Sequence, residues 1–132
     1  MKCKGFSMIE ILIVLVIIFI LAAVLTPAYQ SYILRGNRSD AIKSLLLLQI
    51  AQEKYRLNNT TYGTLGNVWS GSASVDGYYT LSVPSNGNTN YTLTATAQGS
   101  QAADTNCASF TITFANGTQT NSSSPNTDCW SQ

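Results

Sequence analysis

The chain has no histidine, and only 10% of its 132 residues are charged. Without histidine, the side chain that most often serves as general base or metal ligand near neutral pH is missing. Nor does the sequence hold a phosphate-binding loop, a Cys–His pair or a Ser–His–Asp set, so no catalytic residues are expected and the chain does not read as an enzyme. Basic residues are confined to Lys2, Lys4, Arg35, Arg38, Lys43, Lys54 and Arg56, with none after Arg56. The stretch that follows carries Asp76, Asp104 and Asp128 and is weakly acidic. A polyanion is bound by Lys and Arg neutralising phosphates, so this composition argues against a DNA partner for the second half. Asp76, Asp104 and Asp128 lie in turn-like sequence, where aspartates usually bond their own backbone. Neither a metal site nor a cofactor is expected.

What is present begins with five residues, Met-Lys-Cys-Lys-Gly, and then Phe6-Ser7-Met8-Ile9-Glu10 leading into an unbroken apolar run from Ile11 to Leu25. The apolar stretch approaches the ~20 residues that span a bilayer. Thr26-Pro27 closes it, and the proline predicts a kink or break. An ordinary signal peptide places its apolar region before the cleavage site and loses it. Here only a short basic leader precedes the run, although cleavage after Ala22-Ala23 or an uncleaved anchor are the plainer alternatives. Neither explains Glu10, a carboxylate that costs a few kcal/mol near a bilayer core unless it has a partner or a use.

Residues 28–57 read as an amphipathic helix. Ala41, Leu45, Leu48, Ala51 and Tyr55 form its apolar stripe, widened by Leu46 and Ile50, with Arg38, Asp40, Lys43, Gln52, Glu53 and Lys54 on the other side. Asn58-Asn59-Thr60 ends it, and residues 58–77 read as a long connecting loop. Three strands are predicted: Tyr78–Val83, Asn90–Ala97 and Ala108–Phe114. Between the first two, Pro84-Ser85-Asn86-Gly87-Asn88 is hairpin chemistry, with Gly87 expected at positive φ. Asn116-Gly117 is a further turn signal, and Thr120–Gln132 is a polar tail until Cys129-Trp130. The fold class is therefore α+β, a long N-terminal hydrophobic and amphipathic helix packed on a small antiparallel β-meander. Cys107 and Cys129, spaced apart in the head, suggest one disulfide, the alternative being two reduced, buried cysteines. Tyr62, Trp69, Tyr78, Tyr79 and Trp130 could form a binding patch but more often pack a small core poor in Leu and Ile.

The combination Lys-x-Lys-Gly-Phe-Ser-Met-Ile-Glu followed by the apolar run resembles the processing site of the type IV pilin family. The resemblance extends to Thr26-Pro27-Ala28-Tyr29-Gln30-Ser31-Tyr32, to Arg38-Ser39-Asp40-Ala41 and Gln52-Glu53-Lys54-Tyr55, to the strand segments, and to the terminal Cys129-Trp130. It is strongest for PilE-type minor pilins, and it departs from many major pilins in having Phe19 where they carry a helix glycine. What it implies is a pilin fold divided into a cleaved leader (1–5), a transmembrane and assembly helix (6–27), a stem helix (28–57) and a head (58–132). It further implies cleavage between Gly5 and Phe6 by a prepilin peptidase, N-methylation of Phe6, and assembly through Glu10 pairing with the Phe6 amine. Cys107 and Cys129 would bracket the family's disulfide-bounded loop. The implied partners are other pilin subunits, with the chain held in the inner membrane, head periplasmic, before it joins an extracellular pilus. The function so implied is a structural subunit supporting pilus assembly, adhesion or motility. The alternatives are a competence pilin that binds DNA and a type II secretion pseudopilin, which shares the N-terminal motif.

Overall fold

The computed structural model describes residues 5–131. The upstream side of the expected processing site, with Lys2, Cys3 and Lys4, lies outside the described residues. The chain divides into two units, Met1–Ile33 and Leu34–Gln132. Helix α1 is assigned from Met8 to Arg56, with Pro27 inside it, so the expected break is not seen. Proline cannot donate to the carbonyl one turn back. Next to it, the Thr26 hydroxyl donates to the Ala22 carbonyl at 2.7 Å and Ser31 donates to that of Ala28 at 2.9 Å. At the far end the Arg56 guanidinium and the Asn59 amide close the last turn on the carbonyls of Asn59 and Tyr55. Basic groups are favoured there because the helix C-terminus carries partial negative charge.

In the head unit, four antiparallel strands lie in sequence order: β1 (Tyr79–Asn86), β2 (Asn90–Ala97), β3 (Cys107–Ala115) and β4 (Thr118–Pro125). One strand more is present than the sequence pattern predicts. The missed strand is β4, read as polar tail because its inward positions Gln119, Asn121 and Ser123 are polar and give no alternation. The turn chemistry accounts for it: Asn116 (φ 51°) and Gly117 (φ 81°) form a two-residue turn between paired Ala115 and Thr118, and two positive φ angles match the twist of a hairpin. The β1–β2 connection corrects a second expectation. Gly87 is not among the positive-φ residues; a Cβ there would instead collide with Asn90 Oδ1. The segment 58–77 is more ordered than a plain loop. It contains the short helix α2 (Leu65–Val68), and Ser72 and Ser74 hydrogen-bond along the edge of β1.

The core lies between the sheet and the head portion of α1. Ala41, Leu45 and Leu48 follow helical spacing and meet Tyr79, Leu81, Tyr91, Leu93, Phe110 and Ile112, all at most 1% exposed. Aromatics supply much of the volume. Tyr91 stacks on Phe114 at 5.2 Å and meets Tyr62 edge-on at 4.6 Å, while Phe110 makes edge contacts with Tyr79 and Trp130. These geometries suit rings whose faces are negative and edges positive. Trp69 packs against the same core, so four of the five predicted patch aromatics pack there, while Tyr78 is 36% exposed.

The opposite sheet face is set by the register. Paired residues share a face, which aligns Thr80, Thr96, Ser109 and Ser124 in one row, Ser82, Thr94, Thr111 and Ser122 in the next, and Ser85, Thr92, Thr113 and Thr120 in a third.

Candidate assembly surfaces

From Ile11 to Leu25 the helix is apolar all round and exposed. The large apolar side chains from Phe6 to Leu25 are 48–90% exposed, a surface suited to lipid or to other apolar helices. By length and composition the helix can cross a membrane, and a helix is one of the few backbones whose polar groups are satisfied internally in lipid. Phe6 and Glu10 lie together along one groove with Ile11, Val14 and Leu15. The Ser7 carbonyl accepts from the backbone N–H of Glu10 at 3.0 Å and of Ile11 at 3.3 Å, which starts the helix directly after Ser7. Glu10 therefore sits in the first turn, where partial positive charge favours a carboxylate. With the leader attached, the Phe6 nitrogen is a peptide nitrogen. Only cleavage would give it the charge to pair with Glu10.

The stem portion of α1 buries Ala41, Leu45 and Leu48 and exposes Lys43, Glu53 and Lys54 as expected, and departs from the expected distribution elsewhere. Arg38, Asp40, Ser44 and Gln52 are buried with Ala41, Leu45 and Leu48, whereas Leu46, Leu47 and Ile50 are 41–53% exposed. The expectation that Arg38, Asp40 and Gln52 face solvent, and that Leu46 and Ile50 widen the buried stripe, is overturned. The buried polar groups hold the loops of the head. Gln52 exchanges two hydrogen bonds with the backbone of Gly63, at 2.7 and 2.8 Å. The Asp40 carboxylate accepts from the Ser74 and Ser44 hydroxyls and from the N–H groups of Asp76 and Tyr78. Arg38 donates two hydrogen bonds to Asp104, at 2.7 and 2.9 Å. Asp104, read from sequence as a turn residue bonding its own backbone, is thus the anion of a buried ion pair. Gln101 completes the cluster, its amide nitrogen donating to the Leu34 carbonyl and the Tyr79 phenol.

Burial pushes the Tyr79 phenol up to about 12; Asp104 adds to the rise, while the Gln101 hydrogen bond and Arg38 oppose it. Burial likewise raises Tyr91, with further help from Glu53, to which its hydroxyl donates. Tyr62 moves the same way for the same reasons.

Cys107 and Cys129 are disulfide-bonded, with Cα atoms 6.0 Å apart. The bridge joins the start of β3 to the segment after β4, which places β3, β4 and the turns that follow each of them inside the closed loop. Of the basic residues in the head unit, Arg38 is buried and paired, and Arg56 donates to the carbonyls of Asn88 and Asn59 and lies over the Tyr62 ring. Arg35, Lys43 and Lys54 stay exposed on α1. Among the described residues no cluster of three His, Cys, Asp or Glu could hold a metal ion. The buried Arg38–Asp104 pair is the feature that sequence reasoning missed. A charged pair separated by 66 residues leaves no local signal.

Two family models match the chain: a prokaryotic N-terminal methylation motif over residues 1–26, and the type IV minor pilin ComP, DNA uptake sequence receptor, over residues 27–111. Similar curated proteins include the fimbrial protein EcpC of Eikenella corrodens, 36% identical over 76% of this chain and 66% of that protein. The type IV major fimbrial protein FimA of Dichelobacter nodosus is 38% identical over 62% of this chain and 53% of its own length. The type IV major pilin protein PilE of Neisseria gonorrhoeae is 41% identical over 61% and 49%. The chain thus spans about half to two thirds of the length of the relatives it matches.

Proposed function

The chain belongs to the type IV pilin family, and from that premise we propose that it is a structural subunit of a type IV pilus, most like the minor pilins. A prepilin peptidase cleaves between Gly5 and Phe6 and methylates the Phe6 amine. Before assembly the subunit waits in the inner membrane as a single-pass protein with its head in the periplasm. It then joins other pilin subunits in an extracellular filament that serves adhesion or motility. It runs no chemistry of its own and needs no cofactor.

The observation that carries this reading is the bare apolar helix with one carboxylate beside Phe6. A buried carboxylate and a buried ammonium are each unfavourable alone, and as a pair they set a register. The exposed Leu46, Leu47 and Ile50 extend apolar surface onto the stem, as expected of a helix with neighbours. Tagged Glu10→Ala and wild-type subunits, compared in inner membrane and in sheared pili, test it. The variant is expected to insert and be cleaved normally but to be strongly depleted from fibres. Wild-type levels of Glu10→Ala in fibres would remove Glu10 from the assembly mechanism.

The name of the matched minor-pilin model raises a second reading, a DNA receptor. Of the basic side chains in the head unit, only Arg35, Lys43 and Lys54 are exposed and not engaged with backbone carbonyls, and the sheet offers no cation for phosphates. Salt-sensitive binding of the chain to duplex DNA, lost in Lys43→Ala/Lys54→Ala, would be needed to adopt it.

A further inference from the structure

We propose that the free edge of β4 pairs antiparallel with β4 of a second copy of this chain. The reading stands on the sheet alone and does not rest on the pilus role. Along a strand of an antiparallel sheet, successive residues turn their N–H and C=O groups to opposite sides. At the β1 edge the outward groups are taken. The Leu81 N–H donates to the Ser72 carbonyl at 2.6 Å, and the Tyr79 carbonyl accepts from the Ser74 N–H at 2.8 Å. At the β4 edge they are free. The two-residue turn makes Ala115 and Thr118 a hydrogen-bonded pair, so Thr120 and Ser122 also bond inward to β3, while Gln119 and Asn121 turn their main chain outward. Among the described residues, no backbone hydrogen bond reaches Gln119 or Asn121 from outside the sheet.

The edge is also unguarded. Strand β1 carries Pro84 and a register shift between Ser82 and Ser85, devices that blunt an edge. On β4, Pro125 and the shift opposite Cys107 and Ser109 lie at the far end, and residues 118–122 are exposed and uncharged. A row of alternating main-chain donors and acceptors is matched by another extended backbone. A flexible peptide would lose chain entropy on docking, whereas β4 of a second copy is already ordered. It is held by β3 and the Cys107–Cys129 bridge, and the Gln119 side chain bonds those of Asn121 and Gln49. Two uncharged edges bring no like charges together. Because the β1 edge is covered, only β4 can meet β4, and such a two-fold contact closes at two copies. The register that sets Gln119 opposite Asn121 of the other copy uses both outward residues and brings Thr120 opposite its own counterpart.

Disulfide trapping in the detergent-solubilised full chain, in a Cys3→Ser background, tests this register. In Thr120→Cys the two thiols face each other in a non-hydrogen-bonded pair, with Cα atoms ~4.5 Å apart, within disulfide reach. This variant is expected to give a covalent dimer under mild oxidation. Thr118→Cys or Ser122→Cys alone sets the thiols ~13 Å apart and is expected to stay monomeric, whereas a mixture of the two is expected to cross-link. Asn121→Pro removes an outward N–H and is tolerated on an edge strand. Added to Thr120→Cys, it is expected to slow trapping about tenfold with an unchanged melting temperature. If Asn121→Pro impairs folding, Thr120→Lys replaces it, setting like charges opposite each other, with the Thr118→Cys and Ser122→Cys mixture as readout and the same direction expected. The proposal is overturned by a monomeric Thr120→Cys chain, which would leave the edge to a strand of another protein. It is equally overturned by Thr118→Cys or Ser122→Cys cross-linking alone as fast as Thr120→Cys, or by undiminished trapping in the folded Asn121→Pro or Thr120→Lys variant. None of these outcomes depends on filament assembly.

Discussion

Arg38 and Asp104 stand 66 residues apart in sequence, yet their side chains are only 8% and 3% exposed and meet through two hydrogen bonds. Removing one partner of such a pair strands the other charge, at a cost of about 3–5 kcal/mol. Arg38→Ala and Asp104→Ala are each expected to lower unfolding free energy by that amount in denaturant titrations. The double Arg38→Leu/Asp104→Leu variant is expected to lose less than either. A single-variant loss below ~1 kcal/mol would mean that the pair does not anchor the 98–106 connection to the helix. Tyr79 and Tyr91 give a pH dependence whose sign is fixed. A tyrosine unfolds into water with a pKa of ~10, and both are higher in the fold, Tyr79 at about 12. Above pH ~10 the unfolded chain sheds protons that the native chain keeps, so stability is full below that point and falls as pH rises through the folded value. Urea midpoints measured on either side of pH ~10 are expected to drop on the alkaline side, less so in Tyr79→Phe. An identical alkaline drop in Tyr79→Phe would assign the effect elsewhere. The Arg38–Asp104 pairing is not legible in the sequence, because burial of a charged side chain is decided by partners far along the chain, whereas Tyr79 is among the aromatics expected to pack a small core.

At the scale of elements, legibility follows how local the determinant is. The apolar run, the helix end at Asn58-Asn59 and strands β2 and β3 were written in composition and alternation. The stem face was misread because two opposed patterns share one helix. Asp40 and Gln52 turn inward to bond loop backbone and Arg38 to pair with the Asp104 carboxylate, and Leu46 and Ile50 turn outward. Hydropathy alone assigns these the other way round. Strand β4 was missed because its inward residues bond rather than pack: Gln119 accepts from Gln49 at 2.8 Å, and Ser123 donates to the Asn126 carbonyl. The disulfide holds this polar strand in place. Closing a loop of 22 residues stabilises by ~3 kcal/mol in the chain-entropy account. Cys129→Ser is expected to lower stability by about that amount and to speed hydrogen exchange in β4 before β2. Unchanged stability, or exchange that rises uniformly, would show that β4 does not depend on the bridge.

For the whole molecule, charge separates two surfaces. Every basic residue precedes Leu57, and the sheet is uncharged. Loss of the leader would remove Lys2 and Lys4, taking the count from 7 basic and 6 acidic residues to 5 and 6. The processed chain would carry a net side-chain charge of −1, with one new amine at Phe6 beside Glu10. Family and fold class were legible from the N-terminal motif and the strand pattern together, since both are local. The most direct measurement is intact-mass and N-terminal peptide analysis of filaments sheared from cells that express the chain. The expected result is this subunit within the fibres, beginning at methylated Phe6 and two hydrogens lighter for the Cys107–Cys129 bond. Absence of the chain from the fibres, or a mature N-terminus beyond Ala23, would contradict the assignment as a pilus subunit.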